Sequence, residues 1–203
     1  MKKLNQFIVE KFRLSKDNLK NIHTYHYHPK TKDELKTLID ELIKERDNNA
    51  NLNDIDTSEI TDMSRLFYGS SFNGDISQWD ISNVEYMNSM FYKSKFNGNI
   101  SDWDVSNVKN MAYMFYESKF NGDISKWNIS NVENMFATFG ESEFNGDISK
   151  WNVSNVEYMK FMFHNSKFNG DISNWNVSNV KDMEYMFTDC PLEKNPPAWY
   201  KYK

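Results

Sequence analysis

Histidine and tyrosine cluster near the N-terminus of the 203-residue chain, where imidazoles are the residues best suited to bind a metal. His26 and His28 lie two positions apart, with His23 just before them, so a strand would place both on one face. Such a pair could ligate zinc. No cysteine and no third firmly placed ligand supports this chemistry. We therefore favour packing and hydrogen bonding within a terminal cap.

Asparagine and aspartate recur at two fixed positions of a longer pattern. The two columns are Asn73, Asn97, Asn121, Asn145 and Asn169, and Asp75, Asn99, Asp123, Asp147 and Asp171. A stacked carboxylate column could hold Ca²⁺, but calcium-binding repeats bring several carboxylates to each turn. The alternative is that these side chains bond turn backbone and stack as an amide ladder. We favour the ladder and predict no metal and no cofactor.

Nucleophilic catalysis has little support in the sequence. Cys190 is the single cysteine, so no disulfide can form within the chain. No base is predicted beside this thiol, and no serine lies in a nucleophile-elbow motif. A thiol so placed is expected to be a small buried apolar group. The sequence predicts a non-enzymatic protein with no catalytic residues.

Composition limits the classes of partner and location. A net charge of −5 gives no general attraction for phosphate backbones, so we predict no nucleic-acid binding. No segment approaches the roughly 20 apolar residues that span a bilayer, which predicts no membrane insertion. The basic start of the chain lacks the apolar run of a signal peptide. These features favour a cytoplasmic or virion-associated location over export by the Sec route.

A period of 24 residues organises most of the chain. It is followed by Trp79, Trp103, Trp127, Trp151, Trp175 and Trp199, by Phe72, Phe96, Phe120, Phe144 and Phe168, and by Met63, Met87, Met111, Met135, Met159 and Met183. A repeat of this length indicates a stacked array, because one unit cannot bury its apolar face alone.

Each unit predicts a strand, a helix and a turn. The apolar residues Ile76, Trp79, Ile81 and Val84 have leucine-rich-repeat spacing, with tryptophan in a leucine position. Trp79 to Ile81 is expected to be a very short strand, and Ser82 the N-cap of a helix. That helix would carry Val84, Met87, Met90 and Phe91 on one face. The expected fold is a right-handed α/β solenoid, leucine-rich-repeat-like, of about six coils, each with a short parallel strand and a short helix.

Four segments are predicted along the chain. Residues 1–22 form an N-terminal peptide and possess an apolar face if helical, which would let them dock on a partner. Residues 23–51 form a helical cap, because Thr31 and Glu34 have capping-box spacing before an apolar stripe. Residues 52–191 form the repeat array. Residues 192–203 form a C-terminal cap with Pro196, Pro197 and Trp199.

The string FNGDISxWDVSNVxxMxxMF resembles the BspA-type leucine-rich-repeat surface proteins of bacteria. The resemblance spans the repeat array and rests on the joint recurrence of Trp, Met-x-x-Met-Phe and Phe-Asn-Gly. It implies a protein- or glycan-binding module whose partner is a protein or a cell-surface carbohydrate. The N-terminal peptide and the Pro-Pro-Ala-Trp-Tyr ending also resemble proteins encoded by large bacteriophages. The alternative is therefore a phage virion-associated or assembly protein with an N-terminal docking or packaging peptide.

Two surfaces vary from unit to unit and are the candidate binding faces. The strand face changes charge along the array, and its candidates are Gln78, Asp80, Asp102, Asp104, Lys126 and Lys150. The helix face concentrates aromatic residues, and its candidates are Tyr92, Tyr113, Tyr116, Phe136, Phe161 and Tyr185. Tyr68 and His164 lie in equivalent columns, and Lys160 shares the column of Phe136. Tyrosine often anchors protein interfaces. The alternatives are a solvated strand face and aromatic packing between neighbouring helices.

The fourth unit departs from the pattern. Thr138 takes the place of a methionine or leucine, and Gly140 interrupts a mostly aromatic column. Phe136, turned inward, would fill the space of the missing methionine side chain. An open notch for a ligand is the alternative.

Overall fold

The computed structural model of the chain describes residues 25–201. Within this range one α-helix, α1, spans Lys32–Arg46, and a short 3-10 helix spans Pro191–Glu193. Turns and isolated parallel bridges make up the residues between them. Residues 1–22, predicted to be an N-terminal docking peptide, and His23 of the histidine cluster lie outside the described residues.

Helix α1 begins where the sequence predicts and covers the start of the array. The Thr31 hydroxyl accepts the Glu34 N–H at 3.3 Å, and the Glu34 carboxylate accepts the Lys30 N–H at 2.8 Å. The predicted capping box therefore forms, except that Glu34 accepts the N–H of the residue before the N-cap and not that of Thr31 itself. Its apolar stripe is fully buried: Leu35, Leu38, Ile39 and Leu42. Lys32 bonds Asp62 at 3.2 Å and Arg46 bonds Asp54 at 2.9 Å, which fixes α1 against the first repeats.

Successive repeats are joined by backbone hydrogen bonds. We number the repeats units 1 to 6: residues 52–75, 76–99, 100–123, 124–147, 148–171 and 172–195. The N–H groups of Met87, Ser89 and Phe91 in unit 2 donate to carbonyls of unit 3, at 3.0, 2.9 and 2.9 Å. Equivalent bonds join all the remaining pairs of neighbouring units. Five parallel bridges lie beside them, one between each pair of neighbouring units, and they link Asp62, Tyr86, Asn110, Asn134, Tyr158 and Asp182 in order.

The structure has turns where each unit was predicted to have a helix. In unit 2, Met90 N–H donates to the Met87 carbonyl at 3.1 Å and Tyr92 N–H to the Ser89 carbonyl at 3.2 Å. Ser89 and Lys93 have φ of +58° and +53°, which an α-helix does not contain. The N–H groups between these turns bond the next unit, so none is left for an intrahelical bond. The parallel bridge also lies at Tyr86 and not at the predicted strand, Trp79 to Ile81.

The interior consists of aromatic columns that run through the stack. Phe67, Phe91, Phe115, Phe139, Phe163 and Phe187 form one column, with centroids 5.5 to 6.0 Å apart in successive units. The tryptophan column lies beside it, and the Trp103 indole N–H donates to the Ile76 carbonyl of the preceding unit at 3.2 Å. These contacts give every unit the same cross-section. The right-handed, leucine-rich-repeat-like solenoid and the four segment boundaries stay predictions.

Candidate functional site

The predicted helix-face residues form one continuous surface, although it is built on turns. We call this surface the aromatic ridge and define it as Tyr68, Tyr92, Tyr113, Tyr116, Phe136, Phe161 and Tyr185. Ring centroids in contact lie 4.7 Å (Tyr68–Tyr92), 5.2 Å (Tyr92–Tyr116), 5.7 Å (Tyr113–Tyr116), 5.1 Å (Tyr113–Phe136), 5.8 Å (Phe136–Phe161) and 5.3 Å (Phe161–Tyr185) apart. The ridge thus crosses all six units without a break.

Solvent reaches the aromatic ridge along its length. Tyr68, Tyr113 and Tyr185 are 51%, 36% and 52% exposed, while the other ridge side chains are half-buried. Apolar rings at this density are unusual on a surface and commonly mark a contact site. The structure therefore brings together all six predicted helix-face residues.

Part of the aromatic ridge stands on left-handed backbone. Tyr113, Phe161 and Tyr185 have φ of +59°, +59° and +56°, in the left-handed region. A residue other than glycine loses about 1 kcal/mol there. Arg65, Ser89 and Ala137 share this conformation at the equivalent positions of the other units. The strain consequently belongs to the repeat itself and not to the ridge, since Ser89 and Ala137 at the same position are buried.

In unit 4, neither alternative for the missing methionine is correct. Phe136 stays in the aromatic ridge, so its predicted inward turn is wrong. The buried Thr138 donates its hydroxyl to the Met111 carbonyl at 3.0 Å. The Tyr116 ring covers Gly140, where an added Cβ would lie 2.9 Å from two ring carbons, so no notch opens there. Burial and the hydrogen bond that its hydroxyl donates to Glu141 raise the pKa of Tyr116.

Charged groups flank the aromatic ridge, and of these only Lys160 was among the helix-face positions expected from the sequence. Arg65 lies 5.9 Å from the Tyr68 ring centroid, Lys93 lies 5.6 Å from that of Tyr92, and Lys160 lies 5.5 Å from that of Tyr185. Lys93 also pairs with Glu117 at 2.8 Å, and Lys160 with Glu184 at 2.6 Å. The two residues of each ion pair are 24 positions apart, so the repeat period is the sequence signal from which these ion pairs could have been predicted. The ridge therefore presents rings bordered by both signs of charge.

The predicted strand-face residues are all exposed but do not converge. We call them the polar face: Gln78, Asp80, Asp102, Asp104, Lys126 and Lys150. Asp80 and Asp104 accept the N–H groups of serines two residues later, at 3.0 Å, which is turn chemistry. The nearby Asp123 and Asp147 carry charge opposite to Lys126 and Lys150. This arrangement offers no concentrated charge for a ligand.

The asparagine columns form the amide ladder that the sequence predicts. The N–H groups of Asn97, Asn121, Asn145 and Asn169 each donate to the side-chain oxygen of the asparagine one unit earlier, at 2.7 or 2.8 Å. Asp75 and its equivalents accept serine N–H groups at 2.9 or 3.0 Å. Side-chain oxygens that already accept hydrogen bonds from backbone N–H groups have less capacity to bind a cation.

Among the described residues, His26 and His28 lie next to carboxylates and Cys190 is buried. His28 Nδ1 lies 2.9 Å from the Asp56 carboxylate, and His26 Nδ1 lies 3.5 Å from that of Asp54. Among residues 25–201, no group of three or more His, Cys, Asp or Glu side chains is arranged to hold a metal ion. Burial raises the pKa of the Cys190 thiol, which lowers its reactivity.

Sequence comparison agrees with the tandem architecture and defines a repeat protein. A match to the family described as Mycoplasma protein of unknown function, DUF285, covers residues 36–143, and a second, overlapping match covers residues 118–199. The chain belongs to this family. No match was found among curated proteins or solved structures. Within the described part of the chain, no helix is long and apolar enough to cross a membrane.

Proposed function

We propose that the chain is a non-enzymatic binding module of the BspA type and that its aromatic ridge contacts a protein partner. The observation that carries this proposal is the unbroken line of partly exposed rings across all six units. Tyrosine and phenylalanine bury large areas at little entropic cost, which makes them effective anchors in interfaces. The charged border of the ridge would give the contact its specificity.

Ring orientation favours a protein partner over a carbohydrate. The Tyr68, Tyr92 and Tyr116 rings are stacked with interplanar angles of 3° and 11°, so they cover one another's faces. Stacking leaves mainly the ring edges free, and the Tyr116 hydroxyl already donates to the Glu141 carboxylate. A ring edge is the positive part of the aromatic quadrupole and attracts carbonyl oxygens and other ring faces. Peptide carbonyls and aromatic side chains supply both, whereas a sugar ring would need an open aromatic face.

The proposal includes the fold that presents the ridge. We infer that units 1 to 6 form a right-handed, leucine-rich-repeat-like solenoid. Support comes from the parallel bridge between each pair of neighbouring units and from the repeated backbone hydrogen bonds between them. In such an array the side chains at one repeat position form a straight row, which suits an extended contact surface.

The test compares two variants for capture of partners from the source cells. The ridge variant carries Tyr113→Ser, Phe161→Ser and Tyr185→Ser; serine is compatible with this conformation because Ser89 adopts it in unit 2. The control carries Lys126→Glu and Lys150→Glu on the polar face. We expect the ridge variant to lose partner binding by at least about tenfold, because truncating interface anchors costs roughly 2 kcal/mol or more. The control should retain it.

The same experiment can contradict the proposal. If the folded ridge variant captures partners as well as the original chain does, the aromatic ridge is not the binding surface. If only the control variant loses partner capture, binding belongs to the polar face. Binding to purified cell-surface glycan, abolished only in the ridge variant, would replace the protein partner with a carbohydrate. Partners lost only when residues 1–22 are deleted would instead favour the assembly function.

A further inference from the structure

Tyr86 and Tyr158 are exposed tyrosines that lie outside the aromatic ridge. Their side chains are 44% and 41% exposed. Within residues 25–201 neither ring contacts another aromatic ring, whereas the ridge tyrosines stack on one another. Units 2 and 5 alone have tyrosine at this position of the repeat, because the other units have Asp62, Asn110, Asn134 and Asp182. The two units therefore present aromatic faces that no other ring covers.

A glutamate–lysine ion pair accompanies each of these tyrosines. In unit 5, Tyr158 follows Glu157, whose carboxylate lies 2.7 Å from Lys181 Nζ of unit 6. Lys181 Nζ also lies 5.9 Å from the Tyr158 ring centroid, so the ring and the ion pair are adjacent. Three units earlier, the equivalent glutamate and lysine, Glu85 and Lys109, lie 2.8 Å apart. The same group of side chains therefore occurs twice along the stack.

Two polar cavities lie on this side of the stack, and we call them the first and second clefts. The first cleft spans units 1 to 3, has a volume of about 510 Å³ and is lined by Ser58, Glu59, Thr61, Asn83, Glu85 and Asn107. The second cleft spans units 4 to 6, has a volume of about 390 Å³ and is lined by Asn131, Glu133, Asn155, Glu157, Asn179 and Lys181. Most of the lining residues of the first cleft correspond to those of the second, three repeat periods later.

The asparagine amides of the clefts are each held by one hydrogen bond. In the second cleft, Nδ2 of Asn155 and of Asn179 donates to a serine carbonyl of the preceding unit, at 2.6 Å in both cases. In the first cleft, Asn83 and Asn107 donate the equivalent bonds at 2.8 and 2.7 Å. The side-chain oxygens of these four residues accept no hydrogen bond from the described part of the chain. Each amide thus offers a fixed acceptor and one further N–H donor.

These groups match the chemistry of a carbohydrate. A sugar hydroxyl both donates and accepts hydrogen bonds, and the clefts supply amide and carboxylate oxygens together with amide and ammonium N–H groups. The C–H bonds on one face of a sugar ring are weakly positive and pack on the negative face of an aromatic ring. The lysines beside the clefts are paired with glutamates, so they offer no free cation to an anionic sugar. An uncharged sugar fits best.

A peptide has fewer groups to bind at the clefts. The backbone N–H groups of Glu157 and Tyr158 donate to the Glu133 carbonyl, at 2.8 and 3.4 Å. Those of Glu85 and Tyr86 make the equivalent bonds to the Thr61 carbonyl. Because these donors are already paired, a peptide backbone cannot add to the chain here by main-chain hydrogen bonds.

We propose that the two clefts are binding sites for an uncharged glycan and that each cleft takes one sugar residue. The ring of Tyr86 or Tyr158 packs on the sugar, while the asparagine amides and the glutamate–lysine pair bind its hydroxyl groups. Core phenylalanine rings of successive units lie 5.6 to 5.8 Å apart, so both clefts are within reach of one oligosaccharide. A glycan that occupies both binds more tightly than a single sugar. The clefts and the aromatic ridge are separate, so this proposal is independent of the protein partner.

The test begins with the intact chain on an array of printed glycans that includes neutral and sialylated members. The neutral oligosaccharide that binds best, and its terminal monosaccharide, are then titrated into the isotope-labelled chain and followed by NMR. We expect the monosaccharide to shift amide signals in both clefts, including those of Tyr86 and Tyr158. The oligosaccharide should bind at least about tenfold more tightly than the monosaccharide, because the second contact is intramolecular.

Matched variants at the tyrosines separate packing on the sugar from other effects. Tyr86→Ala combined with Tyr158→Ala should weaken oligosaccharide binding by at least about tenfold, because both aromatic anchors are lost. Tyr86→Phe combined with Tyr158→Phe keeps both rings and should stay within about threefold of the original chain. Tyr158→Ala alone should abolish the signal shifts of the second cleft and leave those of the first. Asn155→Ala should weaken the second cleft, whereas Asn174→Ala, at an exposed position outside both clefts, should not.

Four results would overturn the proposal. The first is no binding of any neutral glycan at millimolar concentration. The second is equal binding by the double alanine and double phenylalanine variants in folded protein. The third is a preference for sialylated over neutral glycans. The fourth is loss of a captured protein by the double alanine variant without glycan binding by either form, since this would make the clefts a protein contact.

The variant of the aromatic ridge keeps this test separate from that of the proposed function. Glycan binding should persist when Tyr113, Phe161 and Tyr185 are replaced by serine, because none of these residues lines a cleft. Loss of glycan binding in this variant, in folded protein, would place the glycan on the ridge and contradict the proposal.

Discussion

Left-handed backbone at residues other than glycine is the feature that most distinguishes this repeat at the level of single residues. Glu117 illustrates it, with φ of +54° and an exposed side chain. Lys119, two residues later, is equally exposed and has no positive φ. Both side chains form ion pairs with a residue one unit away, Glu117 with Lys93 and Lys119 with Glu143. The two positions therefore form a matched pair that differs in backbone conformation.

We predict opposite preferences for glycine and alanine at these two positions. Glu117→Gly should be more stable to unfolding than Glu117→Ala by about 1 kcal/mol, because only alanine has a Cβ that clashes in the left-handed region. Lys119→Ala should be more stable than Lys119→Gly by up to about 1 kcal/mol, because glycine loses more backbone entropy. Denaturant unfolding of the four variants measures both differences. A preference for alanine at both positions would contradict the turns and favour the helix.

Residue-level prediction from the sequence succeeded where chemistry is local. The amide ladder follows from Asn-Gly turns and was predicted correctly. The positive φ values were not predicted, because Ser89, Tyr113 and Phe161 are not residue types that favour the left-handed region. Their apolar neighbours Met87, Met90 and Phe91 also have a spacing compatible with one face of a helix. Backbone hydrogen bonds to a residue 23 positions away favour turns over a helix here. No local sequence pattern encodes these bonds.

Helix α1 is the element that closes the first unit. Its apolar stripe and capping residues are close together in the sequence, so the sequence predicts a helix that starts after Thr31. The observed helix spans Lys32–Arg46. The stripe joins the same buried core as Ile55, Ile60 and Met63. Because each repeat unit contacts only its neighbours, loss of this cap should affect unit 1 far more than unit 5.

Leu38→Ala should lower the free energy of unfolding by about 2 to 4 kcal/mol, since it leaves a cavity under α1. Asp40→Ala, on the exposed side of the same helix, should change it by no more than about 0.5 kcal/mol. Hydrogen exchange adds a spatial readout: the amide of Met63 should lose more protection than that of Met159. Equal loss at both residues would mean that α1 stabilises the molecule as a whole and is not a local cap.

At the scale of the whole molecule, the 24-residue period could be predicted with its consequence, a stack of units with aromatic columns inside. The aromatic ridge could also be predicted, because residues at its positions vary while the core positions stay constant. The contacts of the flanking cations with the rings could not be predicted, since they depend on how side chains of neighbouring units meet in space.

The central claim is that identical units are joined by the same backbone bonds, and deletion of one unit tests it most directly. Removing residues 124–147 joins Asp123 to Ile148 and recreates the Asp-Ile junction found between units 4 and 5. We expect this variant to fold with one cooperative unfolding transition, measured by tryptophan fluorescence, and to be less stable in proportion to its lost contacts. Removing residues 124–135 leaves half a unit and should abolish the cooperative transition. Equal stability of the two deletions, or failure of the full-unit deletion to fold, would contradict the account.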